Sequence, residues 1–389
     1  MITIKKKIPY SFQTIGSEEK KAVKDVLNSD WLTQGMKISE FERILARKVG
    51  SKYAVVVSSG TAALHLVSLA LNLKANDEVI TTPISFLATS NAILYCGAKP
   101  VFADIDPKTQ NIDPLRIEKL ITKKTKAIYV TNFAGCSADM SKISAIAKKH
   151  HLTVIEDGAH ALGAVYKKHY VGSCRYSKAV IFSFHPVKHI TTGEGGAITT
   201  NDKKIYEILI SLRTHGIIKD PKRLTKKNPG PWYYEMHALG YNYRMSDIQA
   251  AIGIEQIKKL DYFVAARRKA AKIYDELFKF DDSIHTPYES KEYKHAYHLY
   301  IVRLRGKKLI SKKRQIFDAL HKFGIGVQIH YIPIPMQPFY KKLGYRIEKY
   351  PSALSYYNSA ISLPLFPKIT RAQQIYVAKT IKAIIDSHK

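Results

Sequence analysis

AVIFSFHPVKHITTGEGG, residues 179–196, is the stretch that decides the fold. Its apolar start is typical of a buried strand, and a turn rich in threonine and glycine follows Lys188. A lysine held at the end of a strand and followed by glycines can approach a bound aldehyde closely, as a Schiff-base lysine must. Because lysine is abundant in this chain, the alternative is that Lys188 is an ordinary solvated side chain.

A carboxylate is expected at the same edge of the sheet. Asp157 ends another apolar run, LTVIED at residues 152–157. In an open α/β sheet, carboxylates at the C-terminal ends of strands point into the ligand crevice. Pyridoxal phosphate requires an amine for its aldehyde and a carboxylate for its pyridinium nitrogen. Lys188 and Asp157 together therefore predict a pyridoxal-phosphate site.

Strand-like and helix-like segments alternate through the first half of the chain. The strand-like runs lie at residues 53–57, 78–82, 100–104, 127–131, 152–157, 179–184 and 197–200. Such alternation predicts a largely parallel sheet of about seven strands with helices on both faces and ligands at the C-terminal strand ends. A polar stretch at 216–231 ends this pattern, and the spacing then predicts one long helix over 245–278.

The C-terminal part has the pattern of a smaller α+β unit. Its strand-like runs lie at 298–304 and 326–330, and its helix-like segments lie at 312–323 and 370–387. We therefore expect a large cofactor-binding domain over residues 1–255 and a small C-terminal domain over residues 256–389.

The net charge of +30 has two possible explanations. A basic field attracts nucleic acid, whereas a lysine-biased composition needs no such partner. The basic residues are dispersed in small clusters, without an arginine-rich tail or a basic stripe with interleaved aromatic residues. Lysine also outnumbers arginine, which favours a solvated surface over bidentate phosphate contacts. Biased composition is therefore the preferred explanation, and no nucleic-acid partner is expected.

The composition also bears on the compartment. No apolar run reaches about 18 residues, so no membrane-spanning helix is expected. The first nine residues include three lysines and have no long apolar core behind them, so no signal peptide is expected. Cys96, Cys136 and Cys174 are too widely spaced for a disulfide framework or a metal cluster, and they indicate a reducing compartment. We therefore expect a cytoplasmic protein without a bound metal.

A phosphate site and an aromatic contact are the remaining candidates. SSGT at residues 58–61 lies between a strand-like run and a helix, where backbone N–H groups, hydroxyls and the helix dipole can bind a phosphate. The same residue types also occur as ordinary helix caps. Ser183 could add a hydroxyl to the phosphate, unless it is an ordinary strand-end serine. Phe86 follows the second run and could stack on a flat ring, unless it belongs to the core.

The order of these motifs is more specific than any one of them. They are SSGT at 58–61, FLAT at 86–89, EDGAH at 156–160, SFHPVK at 183–188, GEGG at 193–196 and GYNYRM at 240–245. The set resembles the DegT/DnrJ/EryC1/StrS sugar aminotransferases over nearly the whole chain, from 29–35 to 361–364. The resemblance implies the fold-type-I architecture of pyridoxal-phosphate enzymes, an α/β fold with a large, mostly parallel seven-stranded sheet domain and a smaller C-terminal α+β domain.

The resemblance also implies roles for single residues. The cofactor-binding set would be Gly60, Thr61, Phe86, Asp157, His160, Ser183 and Lys188. Lys188 would hold the cofactor through its amine and later move a proton during the transfer, while Asp157 would keep the ring nitrogen protonated. His160 stands where many relatives have glutamine, and it would offer a polar group near the cofactor oxygen, although a buried core histidine is the alternative.

Further implied residues concern assembly and substrate. Asn242 would reach the cofactor phosphate of a neighbouring subunit in a homodimer with sites at the interface, although a capped helix start is the alternative reading. Arg244 is a further candidate for contact with the same phosphate. Thr33, His330 and Tyr331 would contact the substrate.

Lys188 also favours transamination, because the dehydratase relatives in this family have histidine there. One branch of the family, which acts in pseudaminic acid biosynthesis, matches best. The expected reaction moves the amino group of L-glutamate to C4 of a UDP-linked 4-keto-6-deoxy-N-acetylhexosamine. The alternative is the same chemistry on another nucleotide-linked keto-sugar, such as a D-configured 4-keto-6-deoxyhexose or a 4-keto-pentose.

Overall fold

The computed structural model describes residues 7–227 and 230–388. Residues 1–6, on which the expectation about a signal peptide largely rests, lie outside the described residues. The strands are β1 Tyr53–Val57, β2 Glu78–Thr81, β3 Lys99–Phe102, β4 Thr125–Thr131, β5 Thr153–Asp157, β6 Val165–Tyr166, β7 His169–Tyr170, β8 Ala179–Ser183, β9 Gly196–Thr200, β10 Ile217–Ile218, β11 Glu235–Met236, β12 Ile284–His285, β13 Tyr293–Lys294, β14 Tyr300–Leu304 and β15 Ala360–Leu363.

Helices alternate with these strands. They are α1 Ser17–Leu27, α2 Met36–Val49, α3 Gly60–Ala70, α4 Leu87–Tyr95, α5 Pro114–Ile117, α6 Met140–Lys149, α7 Lys203–Arg213, α8 Asp247–Lys258, α9 Leu260–Phe278, α10 Lys307–Ser311, α11 Lys313–Lys322, α12 Pro338–Lys342, α13 Pro351–Ser359 and α14 Arg371–Asp386. Short 3-10 turns lie at Glu118–Leu120, Phe133–Gly135, Pro221–Arg223, Ile334–Met336 and Ile347–Lys349.

A seven-stranded sheet with the order β1-β9-β8-β5-β4-β2-β3 forms the centre of the molecule. Strand β9 runs antiparallel to β1 and β8, and the other neighbouring pairs are parallel. The seven strand-like runs of the sequence correspond to these seven strands. The predicted α/β fold with a mostly parallel sheet is therefore confirmed.

Alternating side chains bury both faces of this sheet. Val55, Val57 and Ile181 belong to one hydrophobic cluster, whereas Val56 and Phe182 belong to another. Successive side chains of a strand point to opposite faces, so apolar residues at consecutive positions require a cover on each face. Helices supply that cover, and the open C-terminal ends of the parallel strands remain available for a site.

The C-terminal part has a core of its own. Strands β12, β14 and β15 form an antiparallel sheet in the order β12-β14-β15. Residues of this sheet pack with α9, α11 and α14 in one hydrophobic cluster. The domain limits 1–255 and 256–389 stay a prediction.

Two predicted elements differ from the structure. The helix predicted over 245–278 is two helices, α8 and α9, because Lys259 has φ −93° and ψ −2° and ends the first. The amine of Lys259 lies 2.8 Å from a carboxylate oxygen of Glu19, so a tertiary contact stabilises this break. The sequence contains no signal for it, because no glycine or proline lies at the break.

The strand predicted over 326–330 is wrong as well. The N–H of Gly326 donates to the carbonyl of Ile8 at 2.7 Å, and Gln328 forms an isolated bridge with Ser362. The N–H of Ile8 in turn donates to the carbonyl of Gly324 at 2.9 Å. These backbone groups are thus satisfied by two separate partners, and no continuous ladder forms.

Candidate active site

One cavity of about 430 Å³ lies at the C-terminal edge of the parallel strands. It is lined by nine of the residues that the sequence predicts for the site: Gly60, Thr61, Phe86, Asp157, His160, Ser183, Lys188, His330 and Tyr331. Strands β5 and β8 are parallel neighbours, so their C-terminal residues end at the same edge. This topology brings Asp157 and Ser183 together although they are separated in the sequence.

Asp157 is the buried carboxylate of this cavity. The hydroxyl of Thr89 donates to it at 2.6 Å and the N–H of Ala159 at 3.0 Å. Burial raises the pKa of Asp157, whereas these two hydrogen bonds and the charge of Lys188 lower it. A carboxylate in this position is best satisfied when a cationic group lies against it.

The adjacent carboxylate, Glu156, does not line the cavity. It accepts hydrogen bonds from the side chains of Asn132 at 2.8 Å and Ser177 at 2.6 Å. The alternation of side chains along β5 separates the two acids, since one faces the cavity and its neighbour faces the other side. Of this pair, only Asp157 is therefore available to a ligand.

Lys188 provides the amine of the cavity. The pKa of Lys188 is lowered to about 8. Burial is the main cause and the charge of Arg267 contributes, whereas the attraction of Asp157 opposes the change. A larger fraction of this amine is therefore neutral near pH 7 than for a solvated lysine. A neutral amine is the form that adds to an aldehyde and accepts a proton.

A candidate phosphate site lies where α3 begins. Ser59 caps this helix, and its hydroxyl accepts a hydrogen bond from the N–H of Ala62 at 3.1 Å. A Cβ atom on Gly60 would lie 3.0 Å from the Cβ of Ser183, so a larger residue there would crowd the end of β8. The hydroxyls of Thr61 and Ser183 and the amide end of α3 therefore converge, as an anion site requires.

Phe86 lies at the cavity and is not a core residue. Its side chain is 56% exposed, and its ring centroid lies 6.0 Å from that of Tyr331. An exposed aromatic ring at the mouth of a cavity with a buried carboxylate is available for stacking on a flat ligand. The alternative of an ordinary core phenylalanine is therefore excluded.

His160 and Tyr331 form a directed pair. The N–H of Ala134 donates to Nδ1 of His160 at 3.3 Å, and Nε2 of His160 lies 3.0 Å from the hydroxyl of Tyr331. Burial holds the pKa of His160 well below its usual value, so the ring is neutral and carries its single proton on Nε2. His160 therefore donates to Tyr331, and the hydroxyl proton of Tyr331 is available to a ligand.

Other cavity residues were not anticipated from the sequence. Tyr10, His298 and Glu194 line the cavity, and Arg267 is buried behind Lys188. Tyr10 and His298 come from distant segments without a motif of their own. Histidine and tyrosine are ordinary in such segments, so no local signal marks them.

Two predicted residues lie outside the cavity of the single chain. Thr33 is exposed and bridges to Ser246, while Asn242 is exposed and bridges to Thr214. Both stay predictions, and Asn242 was assigned to the site of a neighbouring subunit. Among the described residues, no group of three potential ligands could hold a metal ion, and no helix is long and apolar enough to cross a membrane.

The residues of the cavity fit pyridoxal phosphate. Asp157 would offer the carboxylate that a pyridinium nitrogen needs, and Lys188 would offer the amine for the aldehyde. The space at Gly60, which a larger side chain would fill, could hold the phosphate. The exposed ring of Phe86 could stack on the ring of the cofactor.

Comparison of the sequence with known proteins identifies related sugar-modifying enzymes. The model of the DegT/DnrJ/EryC1/StrS aminotransferase family matches residues 13–382. The chain is 40% identical to the spore coat polysaccharide biosynthesis protein SpsC of Bacillus subtilis, over 97% of each chain. It is also 40% identical to the UDP-4-amino-4,6-dideoxy-N-acetyl-beta-L-altrosamine transaminase of Campylobacter jejuni, over 98% of each chain.

Solved structures are similar over the same length. PseC of Helicobacter pylori, an aminotransferase involved in the biosynthesis of pseudaminic acid, is 37% identical with a TM-score of 0.91, over 98% of this chain and 100% of that one. Spr1654 of Streptococcus pneumoniae in its PLP form is 30% identical with a TM-score of 0.92, over 98% and 100% of the two chains. The chain therefore belongs to the DegT/DnrJ/EryC1/StrS aminotransferase family and is a pyridoxal-phosphate-dependent sugar aminotransferase.

Proposed function

We propose that this enzyme transfers the amino group of L-glutamate to C4 of UDP-2-acetamido-2,6-dideoxy-β-L-arabino-hexos-4-ulose, in pseudaminic acid biosynthesis. The names of the Campylobacter jejuni and Helicobacter pylori relatives support this substrate. The observation that carries the proposal is the amine of Lys188, with its lowered pKa, in one cavity with the buried carboxylate of Asp157. The UDP-sugar and L-glutamate are then the two substrates.

The residues of the cavity have distinct roles in this proposal. When bound, pyridoxal phosphate supplies an aldehyde that receives the amino group and a ring that takes up electrons. Lys188 Nζ removes the proton from Cα of glutamate and later returns a proton to C4 of the sugar, acting as general base and then as general acid. Asp157 holds the proton on the ring nitrogen, because a buried carboxylate favours a cation beside it.

The remaining residues bind and orient. Gly60, Thr61 and Ser183 hold the phosphate at the start of α3, and Phe86 covers the ring. The hydroxyl of Tyr331, oriented by His160, donates to an oxygen of the bound ligands. His330, whose Nδ1 lies 2.8 Å from the hydroxyl of Ser362, lines the same side and contacts the sugar.

A direct assay tests the reaction. The purified enzyme with pyridoxal phosphate is given L-glutamate, and the absorbance change of the cofactor reports the first half-reaction. The keto-sugar is then added, and the product is identified by mass spectrometry and NMR. An amino group at C4 of the proposed sugar supports the proposal, whereas conversion of glutamate without conversion of this sugar contradicts it.

A second candidate is the same chemistry on another nucleotide-linked keto-sugar. The similarity to SpsC is as high as that to the Campylobacter jejuni transaminase, although SpsC is named for spore coat polysaccharide. A panel that includes a D-configured 4-keto-6-deoxyhexose and a 4-keto-pentose separates the two candidates by kcat/KM. The sugar with the highest kcat/KM identifies the physiological class.

The proposal includes a homodimer in the cytoplasm. Asn242 then reaches the phosphate in the site of the partner, which its exposed position allows. The three cysteines are unpaired, as in a reducing compartment. Mixing inactive Lys188→Ala chains with inactive Asn242→Ala chains tests the shared site, because a mixed dimer has one site with both residues intact. Recovery of activity on mixing supports the dimer, and no recovery under conditions where subunits exchange contradicts it.

A further inference from the structure

The side chain that contacts the amine of Lys188 is a histidine from the C-terminal part of the chain. Nε2 of His298 lies 3.5 Å from Nζ of Lys188, and His298 is only 2% exposed. Its ring centroid lies 4.4 Å from that of His160 and 5.7 Å from that of His189. His298 is thus buried between two other imidazoles at the end of the lysine side chain.

The turn at residues 133–135 fixes this position. The carbonyl of Ala134 accepts a hydrogen bond from the N–H of Leu299 at 3.2 Å, and the N–H of Ala134 donates to His160. A Cβ atom on Gly135 would lie 2.9 Å from the backbone nitrogen of His298, so only glycine permits this approach. One turn therefore places His160 and His298 side by side.

A buried arginine holds the same segment from the other side. Arg267 donates to the carbonyls of Tyr297, His298 and Leu365 at 3.3, 3.2 and 3.0 Å. Burial holds the pKa of His298 well below its usual value, and the positive charges of Lys188 and Arg267 lower it as well. His298 is therefore neutral, with one nitrogen that carries a proton and one that accepts.

The protonation of the amine decides which nitrogen accepts. A protonated lysine amine has only donors, so Nε2 of His298 must be the acceptor toward it, and the ring proton lies on Nδ1. We propose that His298 is a positioning residue for Lys188, whose Nε2 accepts a hydrogen bond from the amine whenever that amine is not bonded to the cofactor. The inference rests on the proposed role of Lys188.

The test uses the cofactor-free protein and does not depend on turnover. Amines are trace-labelled with acetic anhydride between pH 6 and pH 10, and the labelling of Lys188 is read by mass spectrometry. The dependence of this labelling on pH gives a midpoint, which is the pH at which the Lys188 amine is half protonated. A hydrogen bond to the charged amine favours protonation, so His298→Leu is expected to lower this midpoint by about one pH unit. The other charged or titratable groups around the amine remain in every variant; they are Asp157, Arg267, His160, His189 and His330.

Two matched variants separate positioning from packing. In His298→Gln the amide oxygen can occupy the place of Nε2, so the midpoint is expected to return toward that of the wild type. His65→Leu removes another buried histidine, which contacts Tyr95, Tyr241 and Tyr243 and does not line the cavity, and is expected to leave the midpoint unchanged.

Two results would overturn the inference. One is a folded His298→Leu protein with the wild-type midpoint, and the other is an equal shift in the leucine and glutamine variants. If the leucine variant does not fold, His298→Met replaces it in the comparison with glutamine. Failure of the proposed function would look different, because the labelling shift would remain while no keto-sugar was converted.

Discussion

The cavity has two walls, which come from different parts of the chain. The sheet wall consists of Gly60, Asp157, Ser183 and Lys188, at or just beyond the ends of strands in the central sheet. The second wall consists of Tyr10, His298, His330 and Tyr331, from the N-terminal and C-terminal parts of the chain. Each residue of the sheet wall belongs to a motif next to a strand, whereas Tyr10 and His298 of the second wall belong to no motif, and His330 and Tyr331 were predicted only through the family resemblance.

The electrostatics of the two walls differ in the same sense. The sheet wall has opposite charges, a buried carboxylate at Asp157 and an amine at Lys188. The second wall is neutral, because burial lowers the pKa of His330 to about 3 and raises that of Tyr331 above its ordinary value. The charged groups that carry the chemistry and the neutral hydrogen-bonding groups of the second wall therefore come from separate parts of the fold.

The strongest test of this comparison removes the amine of the sheet wall. Lys188→Ala is expected to lower kcat by about 10³-fold or more, because the group that moves the proton is lost. Transamination of glutamate is measured by the absorbance change of the cofactor. Replacement of the exposed Lys168 by alanine serves as the control and should retain wild-type turnover. Full turnover in Lys188→Ala would refute the assignment of this lysine.

The next test compares adjacent acids of β5. Asp157→Asn is expected to lower kcat by about 10²-fold, because the buried charge opposite the ring nitrogen is lost. Glu156→Gln is the matched control, since its side chain is bonded to Asn132 and Ser177 away from the cavity. Turnover of both variants is measured at saturating pyridoxal phosphate. Equal losses would show that cavity position does not distinguish the two acids.

A smaller effect is expected at the candidate phosphate site. The added methyl of Gly60→Ala meets the Cβ of Ser183, and strain of about 2 kcal/mol would weaken cofactor binding roughly 25-fold. Titration of the cofactor-free protein with pyridoxal phosphate gives the Kd. Gly193→Ala is a useful comparison, because a Cβ there meets no atom, although its positive φ adds strain of its own. An unchanged Kd in Gly60→Ala would place the phosphate elsewhere.

The smallest effect is expected from the second wall. Tyr331→Phe removes one neutral hydroxyl, so kcat/KM for the keto-sugar should fall about 10-fold, as for one lost hydrogen bond. Tyr340→Phe is the control, because its hydroxyl contacts Ser90 and Asn91 outside the cavity. If Tyr331→Phe lowered turnover as much as Asp157→Asn does, the two walls would not differ in the way proposed.

The sequence predicted the sheet wall because its signals are local. The apolar runs that end at Asp157 and Ser183 are strands of the structure, and the motif at Gly60 begins a helix. In the second wall, His330 and Tyr331 were predicted through the family resemblance, but Tyr10 and His298 were not, because the position of His298 depends on a contact with Gly135 that no periodicity reveals. The break at Lys259 was missed for the same reason, since an ion pair with Glu19 accompanies it.

The pairing of Ile8 with the backbone of Gly324 and Gly326 has a consequence for folding. During synthesis the central sheet can form while the ribosome is still active, because its strands come from the first part of the chain. The segment at Ile8 can form its backbone hydrogen bonds only after Gly324 and Gly326 have been synthesised. Contacts between residues so far apart in sequence form slowly. Tyr10 lies two residues after Ile8, so the second wall of the cavity closes only after translation has passed Gly326. A nascent chain arrested before this point would have the sheet wall but not the complete site.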